Sequence, residues 1–239
     1  MIFSDIAGKI FVFEILDSTQ SEVKKLLTNG ETPPFTVFAE QQKSGIGRFK
    51  RKWLSPKGGI YFSWATLSVP FSAAPLVIAL ALHKSLAKFI SEKIFIKWPN
   101  DLLLENKKLA GILIETVGNT FVVGIGINTF DAKELPDEFS KSIATIALTQ
   151  EKIGILKKSL FENLSPLWTE FTKSGFEPFL DDFKQCSIPV GTELCVTVGK
   201  RHIIGLYAGV NRHGALILDV SGKLRKFNAA ETSLHSSKL

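Results

Sequence analysis

Cysteine is scarce in this chain. Cys186 and Cys195 are the only two; they stand at no metal-ligand spacing and build no disulfide framework, so the default setting is a reducing cytosol and a cytoplasmic location. Long apolar runs are missing as well. The longest, Ala73 to Leu82, contains Pro75 and stops at His83-Lys84, short of the ~20 residues that a membrane-spanning helix needs. Asp5 and Lys9 interrupt the N-terminus, which does not read as a signal peptide. Tyrosine is rare, 2 residues against 19 Phe, a balance that favours bulky apolar packing over polar aromatic surfaces. No repeat and no low-complexity segment occurs. The formal charge of +6 over 239 residues is mild and does not by itself argue for a nucleic-acid partner.

With 45% apolar and 22% charged residues, the composition is that of an ordinary globular protein, long enough for one large domain or one domain plus a small one. The telling absence is local. From Lys43 to Gly59 there is no acid, while Lys43, Arg48, Lys50, Arg51, Lys52 and Lys57 lie among Gly45, Gly47, Gly58 and Gly59. Apolar, strand-like runs at 35–39 and 60–62 bracket this loop. Glycine lets a backbone come close, and Arg presents forked donors that match phosphate or carboxylate oxygens. Such a loop suits an enclosed small anion. On the loop alone, a solvated surface segment or a nucleic-acid patch stays open beside that reading.

Along the chain, Lys9 to Leu16 reads as a strand. Thr19 and Glu22 stand at capping-box spacing and open a helix that Asn29-Gly30 ends. Ile60 to Thr66 is a strand in which Tyr61, Ser63 and Ala65 alternate with Phe62 and Trp64. A core-packed helix runs from Pro75 to about Ile90. Lys93 to Trp98 is a strand. Leu102 to Leu104 and Leu109 to Glu115 flank a polar tip as a hairpin, and Thr120 to Ile127 adds a third strand to that meander. Gly111, Gly124 and Gly126 inside these strands imply bulges or the close approach of another group. A helix from Gln150 to Phe171 is broken or kinked at Pro166, and a short one lies within 176–183. Beyond Pro189-Val190-Gly191, four short strands separated by turns read as a small β-barrel. The pattern is α+β: a mixed, largely antiparallel sheet packed by helices over 1–186, and a small barrel domain over 187–239.

Polar clusters fall where strands end: Ser18-Thr19-Gln20, Lys97-Trp98-Pro99-Asn100-Asp101 with Lys107-Lys108, and Asn128. Each has a plain explanation alone, as a cap, a solvated lysine or a core tryptophan. In this order, however, Ser18-Thr19, AEQQKSGIGRFKRKWLSPKGGIYFS, KWPNDLLLENKKLAGILIE and VVGIGIN resemble the biotin protein ligases over about residues 13–128. The segment after 189 resembles the SH3-like C-terminal domain of those enzymes. The fold the resemblance implies is that of the class II aminoacyl-tRNA synthetases and biotin ligases. Its helix-turn-helix DNA-binding domain has no counterpart ahead of the catalytic text here, so the resemblance implies a short form without DNA binding. Two departures stand out: Ile46, Phe49 and Lys50 where the ligases carry Arg and Gly, and Gln20 where they carry Asn.

The resemblance implies a two-step reaction. Biotin and ATP give biotinyl-5′-AMP and pyrophosphate, with Mg²⁺ on the phosphates, and biotin then passes to a lysine of a biotin carboxyl carrier protein. It makes Arg48, Arg51 and Lys108 the catalytic cations. It assigns biotin to Ser18, Thr19, Gln20, Gln42, Gly45, Ile46, Gly47, Arg48, Trp53, Lys108, Gly111, Ile112 and Leu113. ATP falls to Arg48, Arg51, Trp53, Asn100, Lys108 and Asn128, and Mg²⁺ to Asp101. The segment 43–52 is the expected lid, mobile when empty and ordered by an anionic ligand. No membrane is implied, and such ligases occur as monomers and homodimers. The alternatives are a lipoate or other acyl-acid ligase of the same superfamily, a nucleic-acid-binding module, and a protein that holds biotin without chemistry.

Overall fold

The computed structural model describes residues 5–70, 72–229 and 232–236. Its elements in order are β1 (Lys9–Leu16), α1 (Thr19–Thr28), β2 (Phe35–Gln42), β3 (Ile60–Leu67), α2 (Ala74–Leu86), β4 (Ile94–Lys97), β5 (Asp101–Leu104), β6 (Lys107–Val117) and β7 (Thr120–Ile127). After these come α3 (Gln150–Ser174), α4 (Leu180–Cys186), β8 (Glu193–Val198), β9 (Arg201–Val210), β10 (Leu216–Val220), β11 (Lys223–Phe227) and β12 (Thr232–Ser236). The first seven strands form one sheet in the order β1-β2-β3-β7-β6-β5-β4. Only the β1–β2 pair is parallel, so the sheet is mixed and largely antiparallel, as the pattern predicts.

Strand alternation divides the sheet into two working faces. Phe62 and Trp64 of β3, Val123, Ile125 and Ile127 of β7, and Ala110 and Ile112 of β6 join α2 and α3 in the main core. The other face carries Ser63 and Ala65 of β3, Val122, Gly124 and Gly126 of β7, and Gly111 and Leu113 of β6. Toward β1, that face is closed by α1 through a small cluster of Val23, Phe35, Val37, Ala65 and Val122. Toward β5 no α-helix among the described residues covers the same face, and the glycines leave room over it.

Several boundaries differ from the sequence reading. Thr19 does not cap α1. The N-cap is Ser18, without a side-chain cap, and the free Thr19 N–H is satisfied from outside the helix by Gln42 Oε1 at 2.8 Å. The second helix ends at Leu86 rather than near Ile90. The helix with Pro166 is not broken: α3 runs through it for 25 residues. Buried residues on both sides of the proline, from Ile153 to Phe171, outweigh a backbone penalty of about 3 kcal/mol.

The C-terminal strands form a five-stranded antiparallel sheet in the order β11-β10-β9-β8-β12, with β12 an addition to the four read from sequence. Among the described pairings, β11 and β12 are its two edges. Among the described residues this sheet has no core of its own: Leu194, Val196, Tyr207, Leu216 and Leu218 belong to the main cluster. A buried hydrogen bond from Trp98 Nε1 to the Gly214 carbonyl, 2.9 Å, ties the two sheets together. No helix among the described residues is long and apolar enough to cross a membrane.

Candidate active site

The glycine-rich part of the open face floors a cavity of about 520 Å³. All the residues assigned above to biotin, ATP or Mg²⁺ line it except Gly45. Gly45 sits behind the wall, where a Cβ would lie 2.6 Å from the Trp53 carbonyl and 2.7 Å from Ser55 Oγ. Ile112 borders the cavity, but its side chain packs into the helix-side core; Leu113, its neighbour on β6, faces the site. Trp98, also in the lining, is a core residue with 2% exposure.

One end of the cavity is a hydrogen-bond chain at the mouth of α1. Ser18, Thr19 and Gln20 are each 4% exposed. Ser63 Oγ donates to Gln20 Oε1 at 2.9 Å, and Thr19 Oγ1 has two acceptors for its one proton, Ser63 Oγ at 2.8 Å and Gln42 Oε1 at 3.2 Å. Gln20 Nε2 donates to the Val122 carbonyl, and Gln42 Nε2 donates to Ser55 Oγ. The longer arm of Gln20 lies over β7 in the space that Gly124 leaves, where a Cβ would come within 2.7 Å of Gln20 Oε1. Ser63 is a member of this network that sequence reasoning did not single out; its place on the face opposite Phe62 and Trp64 was the available signal.

The other end is cationic. Among the described residues, Arg48, Arg51, Lys52, Lys97, Lys108 and Lys141 line the cavity against a single acid, Asp101. Cross-strand register sets one row: Lys97 opposite Asp101, Asp101 opposite Gly111, and Gly111 opposite Gly126. Lys108 joins it because the β5–β6 ladder pairs Leu102 with Ala110 and Leu103 with Lys108. The extra residue, Leu109, is a bulge that brings Lys108 to the face of Gly111. Lys108 Nζ then lies 2.7 Å from Asp101 Oδ1 and 5.0 Å from the Trp53 ring centre. Burial, offset by Asp101, lowers the Arg48 pKa. Burial also lowers that of Lys97, with Asp101 opposing the shift and Lys108 adding to it. Partly desolvated cations that outnumber their acid make a site for an anion.

Arg48 Nη1 donates to Asn100 Oδ1 at 3.3 Å, and Arg48 Nη2 to the Ala229 carbonyl at 2.6 Å. Asn100 Nδ2 binds the Ile112 carbonyl, and Asn128 Nδ2 binds the carbonyls of Lys108 and Ala144. Both amides therefore splice main-chain segments at the cavity wall. A further wall, Phe139 with Lys141 to Ile143, comes from the loop before α3. It is seated by main-chain bonds between Lys108 and Ser142 and between Ala144 and Lys108, and no local pattern in the sequence announced it.

The model of the Biotin/lipoate A/B protein ligase family matches residues 12–129. The bifunctional ligase/repressor BirA of Escherichia coli is 30% identical over 245 residues, covering 97% of this chain and 75% of that protein. The biotin–[acetyl-CoA-carboxylase] ligase of Paracoccus denitrificans is 29% identical, over 84% of this chain and 90% of that protein. The solved structure of the biotin protein ligase from Aquifex aeolicus in complex with biotin and ATP superposes with a TM-score of 0.85 at 26% identity, covering 96% of this chain and all of that one. The chain belongs to this family, as a biotin protein ligase.

Proposed function

We propose that this ligase joins biotin to ATP as biotinyl-5′-AMP and transfers the biotinyl group to a lysine of a biotin carboxyl carrier protein. The observation that carries the reading is the convergence of four separated motifs on one cavity, polar at the α1 end and cationic at the β5–β6 end. In the first step a biotin carboxylate oxygen bonds to the α-phosphorus of ATP as the bond to pyrophosphate breaks. Two anions must meet, and fixed cations lower that barrier most when they are set in advance. Arg48 and Lys108 are our candidates for the carboxylate–phosphate junction and Arg51 for the phosphates. In the second step the lysine amine attacks the acyl carbon, AMP leaves, and the amine's proton passes to solvent.

Ser18, Thr19, Gln20 and Gln42 suit the ureido ring of biotin, and Leu113 and the Trp53 indole suit its apolar chain. Gly45 supports this pocket from behind. Asn100 and Asn128 act, on this reading, by fixing the strand ends that face the nucleotide. Among the described residues no group of three or more His, Cys, Asp and Glu could hold a metal ion, and Asp101 Oδ1 is already paired with Lys108. Those residues fit a Mg²⁺ that arrives on the nucleotide, held mainly by phosphates with Asp101 as its one carboxylate, where it would neutralise phosphate charge. We take 1–186 as the catalytic unit and the five-stranded sheet within 187–239 as its SH3-like domain. Incubation with ATP, Mg²⁺, labelled biotin and a carrier domain tests the proposal. Label should appear on the carrier lysine; label that appears with lipoate and not with biotin would overturn it.

A further inference from the structure

The basic loop holds an exposed aromatic in an unfavourable backbone conformation. Phe49 is 57% exposed and has φ 56 and ψ 31, and Lys50 follows with φ 58. Side chains rarely adopt this left-handed region, and it persists where the surroundings determine it. Here the Arg48 guanidinium carbon lies 5.0 Å from the Phe49 ring centre and that of Arg51 lies 5.9 Å from it. Both fall within the range of cation–π attraction. Main-chain bonds close the base of this turn: Gly47 N–H donates to the Arg51 carbonyl at 2.7 Å, and Ile46 bridges Lys52.

We propose that Phe49 is a positioning residue, an aromatic brace that sets Arg48 and Arg51 over the cavity before any ligand arrives. The physical need is plain. Two guanidinium groups three residues apart repel each other, and Arg51 indeed helps to lower the Arg48 pKa. The negative face of an aromatic ring attracts both and offsets that repulsion without adding an acid that would repel a phosphate. The lid is then braced from within rather than ordered only by its ligand. The far side of Arg48 is held independently by Asn100 and the Ala229 carbonyl.

This inference rests on the ligase reading, and its test separates the two. Phe49→Leu, Phe49→Gly and Phe49→Trp are compared in the full chain by two readouts: trypsin cleavage in the loop of the ligand-free protein, and biotin-dependent ATP–pyrophosphate exchange. The Leu variant keeps bulk and loses the ring; the Gly variant also relieves the left-handed backbone; the Trp variant keeps an aromatic face. Leu and Gly should speed cleavage and raise the KM for ATP on the order of fivefold with kcat nearly unchanged, and Trp should restore both. A Leu variant that matches the parent in both readouts would overturn the inference. So would one with a raised KM and an unopened loop, since the ring would then meet the nucleotide itself. Lack of exchange by the parent protein would sink the ligase reading while the cleavage result still judged the brace.

Discussion

The ammonium of Lys108 stands 2.7 Å from the carboxylate of Asp101, which among the described residues is the one acid of the cavity lining. The pair is partly exposed, with side-chain accessibilities of 32% and 25%, so as a stabilising salt bridge it is worth little. Its value lies in aim. Asp101 draws Lys108 over the glycine floor, where a Cβ on Gly111 would lie 2.9 Å from Lys108 Cε. Lys108→Ala should leave the fold intact and lower biotin-dependent ATP–pyrophosphate exchange by about one to two decades from lost charge-assisted contacts. Lys108→Arg should not restore it, because a planar fork does not fit the narrow space beside Gly111 and Trp53. Full exchange by the Ala variant would remove Lys108 from the catalytic set.

The two sheets are joined by the Trp98 indole, which is 2% exposed and donates to the Gly214 carbonyl. Trp98→Phe keeps most of the apolar bulk and strands that carbonyl without a donor. The expected loss is about 1–3 kcal/mol, read as a lower urea midpoint at unchanged slope. A lower slope as well would mean that the C-terminal sheet had come loose before the rest.

How far the sequence went can be judged strand by strand. The alternation of Tyr61, Ser63 and Ala65 with Phe62 and Trp64 gave the two faces of β3, and the glycines in β6 and β7 announced a close approach that proves to be Trp53 and Gln20. Those are local signals with a physical cause. The bulge at Leu109 was not legible, because it depends on how β5 pairs with β6; yet it decides which face Lys108 takes. The same limit explains Ile112. Two adjacent apolar residues both look fit for a ligand's chain, and only register shows that one of them belongs to the helix-side core. Gln42 capping α1 across the sheet, and the wall from the loop at 139–143, are likewise contacts between distant segments. No capping box or hydrophobic period encodes them.

Acid should weaken the fold through His83. Its Nε2 lies 3.1 Å from the Ile94 carbonyl and its Nδ1 3.5 Å from Cys186 Sγ. With Nε2 protonated toward the carbonyl, Nδ1 accepts from the thiol, and a second proton would break that bond. Burial lowers the His83 pKa below its ordinary 6.5, against an opposing pull from the Ile94 carbonyl. The unfolded chain therefore binds the proton first. Stability contributed by neutral His83 is complete above the ordinary value and falls as pH drops below it, toward the lowered folded value. Urea midpoints at about pH 7.5 and 5.5 should fall in the parent protein and fall less in His83→Gln. Equal slopes in the two proteins would assign the acid sensitivity elsewhere.

Trp53 lies flat against the floor of the cavity, and the residue that permits this is Gly126. A Cβ there would lie 2.5 Å from both Cε2 and Nε1 of the indole and 2.7 Å from Cζ2, contacts that a rigid ring cannot absorb. Gly126→Ala should therefore lift the ring off β7. The indole Nε1, buried and without a partner in the described structure, would gain water. The other tryptophans, Trp64, Trp98 and Trp168, are 0%, 2% and 5% exposed, so a red shift of emission reports Trp53. If the ring forms one side of the biotin pocket, calorimetry should show biotin affinity reduced by about tenfold or more, the loss of a large apolar contact. A red shift with unchanged biotin affinity would keep the packing and discard Trp53 as a wall of the pocket.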